Sequence, residues 1–295
     1  VFGIDPANAW EAHNALLEKY GVIYSDYIED VLHTGGAENP MTAALLMQFT
    51  TDPVWRGLQA YLITQFADLS PYEAELGNAL KRYAVFFNQK SLPQLVAYNS
   101  GYNVGVYPTE QWLGVGLEWF SGTDHKWVNQ LPPALFPQYK REKMKQAYLV
   151  PNVLRGWLLF NFREMRAQDQ MLAEMIFAGK AAYLTQVLLE EADEGRVMNY
   201  SAAQRDWCQQ NEYAIWKTMV ERDLVFSTDL MEINKMISDG PFTPGMPQES
   251  PGGVGRWLGY RMVQQFMDKQ TDMGLAELMN YSDNRMILKA YKPGR

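Results

Sequence analysis

One window of this chain carries most of its strand signal, and that limits the folds open to it. Between Leu92 and Gly122, "QLVAY" and "QWLGVGLEWF" are apolar and partly alternating, and Asn, Ser and Gly break them. The window supplies a small sheet of two to four strands. Gly114 and Gly116 fall inside the second run. Glycine weakens a strand interior, so each points to a bulge or a close packing approach.

Helical patterns cover most of the rest. Asp5-Pro6 reads as an N-cap with proline at the first helical position, and Gly21 as a stop. "GVIYSDYIEDVLHTGG" follows with Ile23, Tyr27 and Val31 at helical spacing. "TDPVWRGLQAYLITQF" opens on Asp52-Pro53, and Ser70 with Glu73 reads as a capping box. A proline-punctuated loop with a short basic helix comes after the strand window. Then come "VPNVLRGWLLFNF", "QDQMLAEMIFAGKAAYLTQVLLEE" and a helix from Ser201, with Gln204 completing a box, through "DWCQQNEYAIWKTMVERDL". "SDGPFTPGMPQESPGG" is turn-rich. The last helices span roughly Val254 to Asp268 and Asp272 to Asn280. The fold class is therefore α+β, mainly α-helical, with one small sheet packed against helices. No composition break marks a linker, so residues 1–295 read as a single domain.

Composition narrows the function. Of 295 residues, 47% are hydrophobic and 20% charged, enough apolar content for a sizeable core. The formal net charge of -8 disfavours a nucleic-acid backbone or an anionic lipid surface as the main partner. Aromatics reach 13%, which suggests aromatic-rich cores or an aromatic-lined groove. The single cysteine, Cys208, excludes an internal disulfide. No uninterrupted apolar run has the length of a membrane span. The opening "VFGIDPANAW" reads as folded sequence rather than as a signal peptide, which leaves room for a processed leader.

"SPGGVGRWLGYRMVQQFM" (Ser250 to Met267) raises the question of a phosphate site. A Walker loop needs Lys and a hydroxyl after its last glycine, but Arg256 and Trp257 follow Gly255. A dinucleotide fingerprint needs a buried strand before its glycines, and "FTPGMPQES" is loop. The run reads instead as a tight helix start. Gly255 and Gly259, one turn apart, leave a flat face for close packing. Arg256 falls on another face, within reach of a carboxylate or carbonyl.

Catalytic constellations are scarce. His13, His33 and His125 lie in separate regions without the i, i+4 partner of a zinc helix. Cys208 has no base in "DWCQQNEYAIW" and reads as a packing residue. Glu190, Glu191, Asp193 and Glu194 lack calcium-loop spacing and read as a solvated helix end. The expectation is therefore no catalytic residue, no metal ligand, no cofactor, no nucleotide and no nucleic acid.

Several segments then carry a resemblance. "AEMIFAGKAAYL", "NYSAAQRDWCQQNEYAIWKTMVERDLVFSTD", "DGPFTPGMPQESPGGVGRWLGYRMVQQFM" and "LMNYSDNRMILKAYKP" resemble, in order, the gliding-motility lipoprotein B (GldB-like) family of Bacteroidetes. "FGIDPANAWEAHNALLEKYGVIYSDYIEDVL" and the strand window fit its first half, so the likeness covers nearly the whole chain.

That resemblance implies a layout similar to zincin-like peptidases, in which an H-E-x-x-H helix precedes an E-G-x-x-x-Y helix. The matching helix here, "VPNVLRGWLLFNF", has neither His nor Glu, and Ala178 stands where the second pattern has Glu. Without metal ligands a zincin cannot activate water. The implied protein is a pseudo-enzyme acting in binding or assembly, with envelope protein partners. Family members are attached to the outer membrane through an N-terminal lipidated cysteine, which is not among these residues. The implied cleft or packing residues are Trp157, Tyr183, Trp216, Gly255, Arg256, Trp257, Gly259 and Tyr260. The alternative is a carbohydrate-active or other metal-independent hydrolase, with Trp112, Trp119, Trp127 and Trp157 around an aromatic cleft.

Overall fold

A computed structural model describes residues 1–89, 91–166, 170–190 and 192–294. Helix makes up 61% of the residues, beside one small mixed sheet, so the fold is α+β and mainly helical. In chain order the elements are α1 (Ala9–Tyr20), α2 (Val22–Asp26), α3 (Pro40–Thr51), α4 (Pro53–Gln65), α5 (Ser70–Phe86), β1 (Gln94–Tyr98), β2 (Val106–Pro108) and β3 (Trp112–Gly116). They continue with α6 (Lys126–Asn129), α7 (Gln138–Arg141), α8 (Leu149–Asn161), α9 (Met171–Leu189), α10 (Glu194–Met198), α11 (Ala202–Gln210), α12 (Glu212–Glu221), α13 (Leu230–Ile237), α14 (Val254–Met267), α15 (Leu275–Asn280) and α16 (Asn284–Ala290). Two compact units result. The first holds residues 1–71, 93–136 and 144–146, and the second 72–92, 137–143 and 147–295.

The first unit is built on helices with a shared start device. Asp5, Asn39 and Asp52 each precede a proline, and each side chain accepts an N–H of the first turn. Proline presets φ there and has no N–H to leave unpaired. α1 stops at Gly21, which adopts φ +52 and returns its N–H to Leu17. After α2 a π turn spans Tyr27–Val31 and buries Tyr27, Ile28 and Val31. The Ser70–Glu73 expectation is corrected at α5. Ser70 already lies inside the helix, and Asp68 accepts its N–H at 2.9 Å.

The sheet has order β1-β3-β2, with β1 parallel and β2 antiparallel to β3. It falls within the expected window. β3 is buried throughout because it is the central strand. Its glycines answer to close approach rather than to a bulge. A Cβ on Gly114 would lie 2.6 Å from the Tyr98 ring, and one on Gly116 2.4 Å from the Val104 carbonyl. Tyr98 is in register with Gly116, so its ring covers the space the glycines leave.

The second unit centres on α9. Nearly every face of this 19-residue helix is apolar and buried, the pattern of a central core helix. It is long and apolar enough to cross a membrane, but 78% of its most apolar stretch is covered by the fold. α8, α10, α13, α14, α15 and α16 pack around it. The helix expected from Ser201 is two helices. The capping box forms as read, but α11 ends at Asn211, whose side-chain amide donates to the Trp207 carbonyl. α16, capped by Asp283, has no counterpart in the sequence reading. Residues 168, 169 and 191 of the "QDQMLAEM…LLEE" stretch lie outside the described residues.

Candidate functional site

The glycine helix α14 is a packing element. A Cβ on Gly259 would lie 1.8 Å from the Met175 carbonyl oxygen of α9. One on Gly179 would lie 2.2 Å from the Gly259 carbonyl carbon, and one on Gly255 2.8 Å from the Met236 carbonyl oxygen of α13. The start of α14 is capped from the turn-rich loop. The fully buried Thr243 hydroxyl accepts the Val254 N–H at 3.1 Å and donates to the Pro251 carbonyl at 2.7 Å. The Ser250 hydroxyl accepts the Thr243 N–H at 3.2 Å. A donor at the head of the helix, where an anion would be held, is thus occupied by the protein's own hydroxyl.

Arg256 turns away from that packing face. Its guanidinium folds over Gly253, which adopts φ +71, and donates to Asp239. Lys143 Nζ reaches the same Asp239 oxygen at 2.9 Å. Burial opposes charge on Asp239, but Arg256 and Lys143 hold its carboxyl well below the usual range. Arg155 stands near the cluster and donates to the Val197 carbonyl at 2.8 Å and the Asn152 amide oxygen at 2.6 Å. Burial, and then Arg256, draw Arg155 down to about 10.

The other expected residues are mostly interior. Trp257 is completely buried and its indole N–H donates to Glu194. Tyr260 is buried and its hydroxyl donates to Gln186. Burial and the charge of Glu194 push that hydroxyl up to about 12. Trp157 is buried on α8 with its ring edge-on to Tyr83. Tyr183 is half-buried on α9. Trp216 is half-buried on α12, edge-on to Tyr291. Five of the eight share α14; none lines the recesses described below.

The acidic run does separate jobs. Glu190 pairs with Arg82, Asp193 caps the Arg196 N–H, and Glu194 receives Trp257, while Glu191 lies outside the described residues. Cys208 is fully buried, and burial raises its thiol. Among the described residues, no three His, Cys, Asp or Glu side chains are grouped to hold a metal ion.

Two recesses in the first unit were not legible as a site. One, of about 410 Å³, is lined by residues including Leu16, Tyr20, Tyr24, Tyr27, Tyr98 and Trp112. A second, of about 420 Å³, shares Gln59, Ala97, Tyr98 and Asn99 with it. Close by, Glu118 has no exposed surface. Its Oε1 accepts the Ser100 N–H at 2.8 Å, the Tyr102 N–H at 3.2 Å and the Ser100 hydroxyl. Its Oε2 has no partner among the described residues. Burial raises the carboxyl to about 7 despite those bonds. Tyr27, Tyr98 and Tyr102 are raised in turn, by burial first and by Glu118.

A serine–histidine contact nearby forms part of a helix start. His125 Nε2 lies 3.0 Å from the Ser121 hydroxyl, while its Nδ1 accepts the Val128 N–H at the start of α6. Accepting there puts the ring proton on Nε2, so the ring donates to Ser121 instead of drawing its proton. The hydroxyl donates to the Glu118 carbonyl at 2.7 Å. His13 is also structural, held between the Tyr24 hydroxyl and the Ala37 carbonyl.

No curated protein and no solved structure matches the chain. The family model described as gliding motility protein GldB matches residues 2–293, nearly the whole chain. The matched range includes the residues that interlock here, with Gly179 against Gly259 and Thr243 capping the helix that begins at Val254. The chain belongs to the GldB family of gliding-motility-associated lipoproteins of the cell envelope.

Proposed function

We propose that this chain is a non-catalytic binding or assembly component of a gliding-motility or outer-membrane protein complex. In this reading it keeps a peptidase-like layout as a scaffold, and a lipidated cysteine preceding these residues anchors it to the outer membrane. One observation carries the proposal. Trp257 in the glycine-rich segment and Tyr260 just after it are buried, and their polar atoms are bonded inside the protein to Glu194 and Gln186. Groups spent in this way hold a scaffold together and are not presented to a substrate.

Glu118 is the observation that favours a metal-independent hydrolase, because a carboxyl raised to about 7 is the usual form of a general acid. Its burial and the three donors on Oε1 support the scaffold reading instead. Envelope crosslinking and co-purification, alongside assays on peptide and polysaccharide panels, test the choice. The expected result is a stoichiometric envelope protein partner and no turnover. Turnover that follows the purified protein and disappears in Glu118→Gln overturns the proposal.

A further inference from the structure

Lys180 is an interior cation with little to do. It lies two turns into α9, is 6% exposed, and borders a pocket of about 200 Å³ in the second unit. Its Nζ donates to the Tyr281 carbonyl at 2.6 Å. An ammonium has three hydrogens to donate, and among the described residues the other two have no acceptor. The acidic residue on the same helix, Glu174, does not serve it. Arg166 holds both Glu174 oxygens at 3.1 Å or less.

The pocket has two characters. Met165, Ile176, Phe177 and Met279 give it an apolar wall. Ser282 and Asn284 line it beside Tyr281, and Ser282 is exposed, so this polar side forms the rim. An apolar wall beside one buried cation with free donors is complementary to a single negative charge on a short apolar body. A phosphate would want more charge and more donors than one ammonium supplies. The volume is that of about six or seven waters of liquid, which limits the occupant to a small molecule.

We propose that this pocket is a binding site for a small monocarboxylate, with the carboxylate on Lys180 and the aliphatic tail against Ile176, Phe177 and Met279. A carboxylate accepts both remaining hydrogens and pairs a charge that burial otherwise disfavours. Burial alone lowers the free lysine to about 8, which fits a cation without its counter-ion. The proposal stands apart from the scaffold reading and concerns different residues.

Titration of the full chain with butanoate, 1-butanol and butylammonium, followed by methyl NMR of Met165, Ile176 and Met279, tests it. Butanoate should give saturable shifts at all three methyls. Butanol should bind at least about tenfold more weakly, in line with the loss of a charge-assisted hydrogen bond. Butylammonium should not bind. Lys180→Met should lose a similar factor for butanoate. Acetic anhydride footprinting of the unmodified chain keeps the test decisive if that variant does not fold, because butanoate should slow acetylation of Lys180 and of no other lysine. Equal binding of butanol and butanoate, unchanged affinity in a folded Lys180→Met, or neither saturable shifts nor protection overturns the proposal. A lysine that only pins the Tyr281 carbonyl predicts those outcomes.

Discussion

Gly179 and Gly259, eighty positions apart, meet backbone to backbone, so that a Cβ on Gly179 would lie 2.2 Å from the Gly259 carbonyl carbon. Neither helix has a flexible side chain at the contact that can give way. The close approach of α9 and α14 is therefore a property of two missing methyl groups.

Gly259→Ala should be among the most damaging small substitutions in the chain. The added carbon would meet the Met175 carbonyl oxygen at 1.8 Å, and overpacking of this kind costs about 1–3 kcal/mol or more. Gly77 is the control. It lies within α5 with nothing within 4 Å of an added Cβ. Gly77→Ala should stabilise by about 0.4–1 kcal/mol, because it restricts the unfolded chain without strain. Urea melts of both variants check the opposite signs. A Gly259→Ala protein as stable as the parent would refute close packing as the reason for the glycine.

Thr243→Val should cost about 1–2 kcal/mol. It keeps the volume but leaves the Val254 N–H without its cap and the Pro251 carbonyl without its donor. Thr243→Ser should retain most of the stability. Equal losses for the two variants would assign the position to methyl packing instead of to capping.

The sequence made the outline legible wherever the signal was local. Asp5-Pro6, Asp52-Pro53 and the Ser201–Gln204 box each fix a helix start within four residues, and each is found. The spacing of Gly255 and Gly259 announced close packing, but not that Gly259 would meet α9 at Gly179 and Met175 while Gly255 meets α13 at Met236, because nothing near either glycine encodes its distant partner. The break at Asn211 was hidden because apolar residues keep helical spacing across it, with Cys208 and Ile215 both buried. Glu118 gave no signal at all. Its partners, Ser100 and Tyr102, join it through backbone and hydroxyl donors, which carry no residue pattern.

Arg256→Ala should destabilise by about 1 kcal/mol, a value discounted for the partial exposure of Asp239 and for Lys143, which remains as a partner. The pair also predicts an acid limb. Asp239 is held below its unfolded value, so its contribution is present above about pH 4 and is lost as pH falls further. Stability measured from pH 5 downward should fall less steeply in Arg256→Ala than in the parent. Parallel curves would show that this pair does not set the acid limb.

Glu118 predicts the opposite slope in a different window. Burial raises its carboxyl to about 7 in the folded chain, while the unfolded chain has an ordinary value near 4.3. Between those two values the folded state binds the extra proton. Stability from this group is therefore greatest below about pH 4, falls as pH rises, and levels off above about pH 7. Glu118→Gln removes the titration and keeps an oxygen for the Ser100 and Tyr102 N–H groups. Its new amide nitrogen takes the place of Oε2, which has no partner among the described residues. The variant should match the parent at pH 5, exceed it at pH 8, and show a flat stability curve between. Glu118→Ala should be less stable than both at every pH, because it strands the buried N–H donors. A Glu118→Gln curve with the same downward slope as the parent would mean that another group carries the dependence.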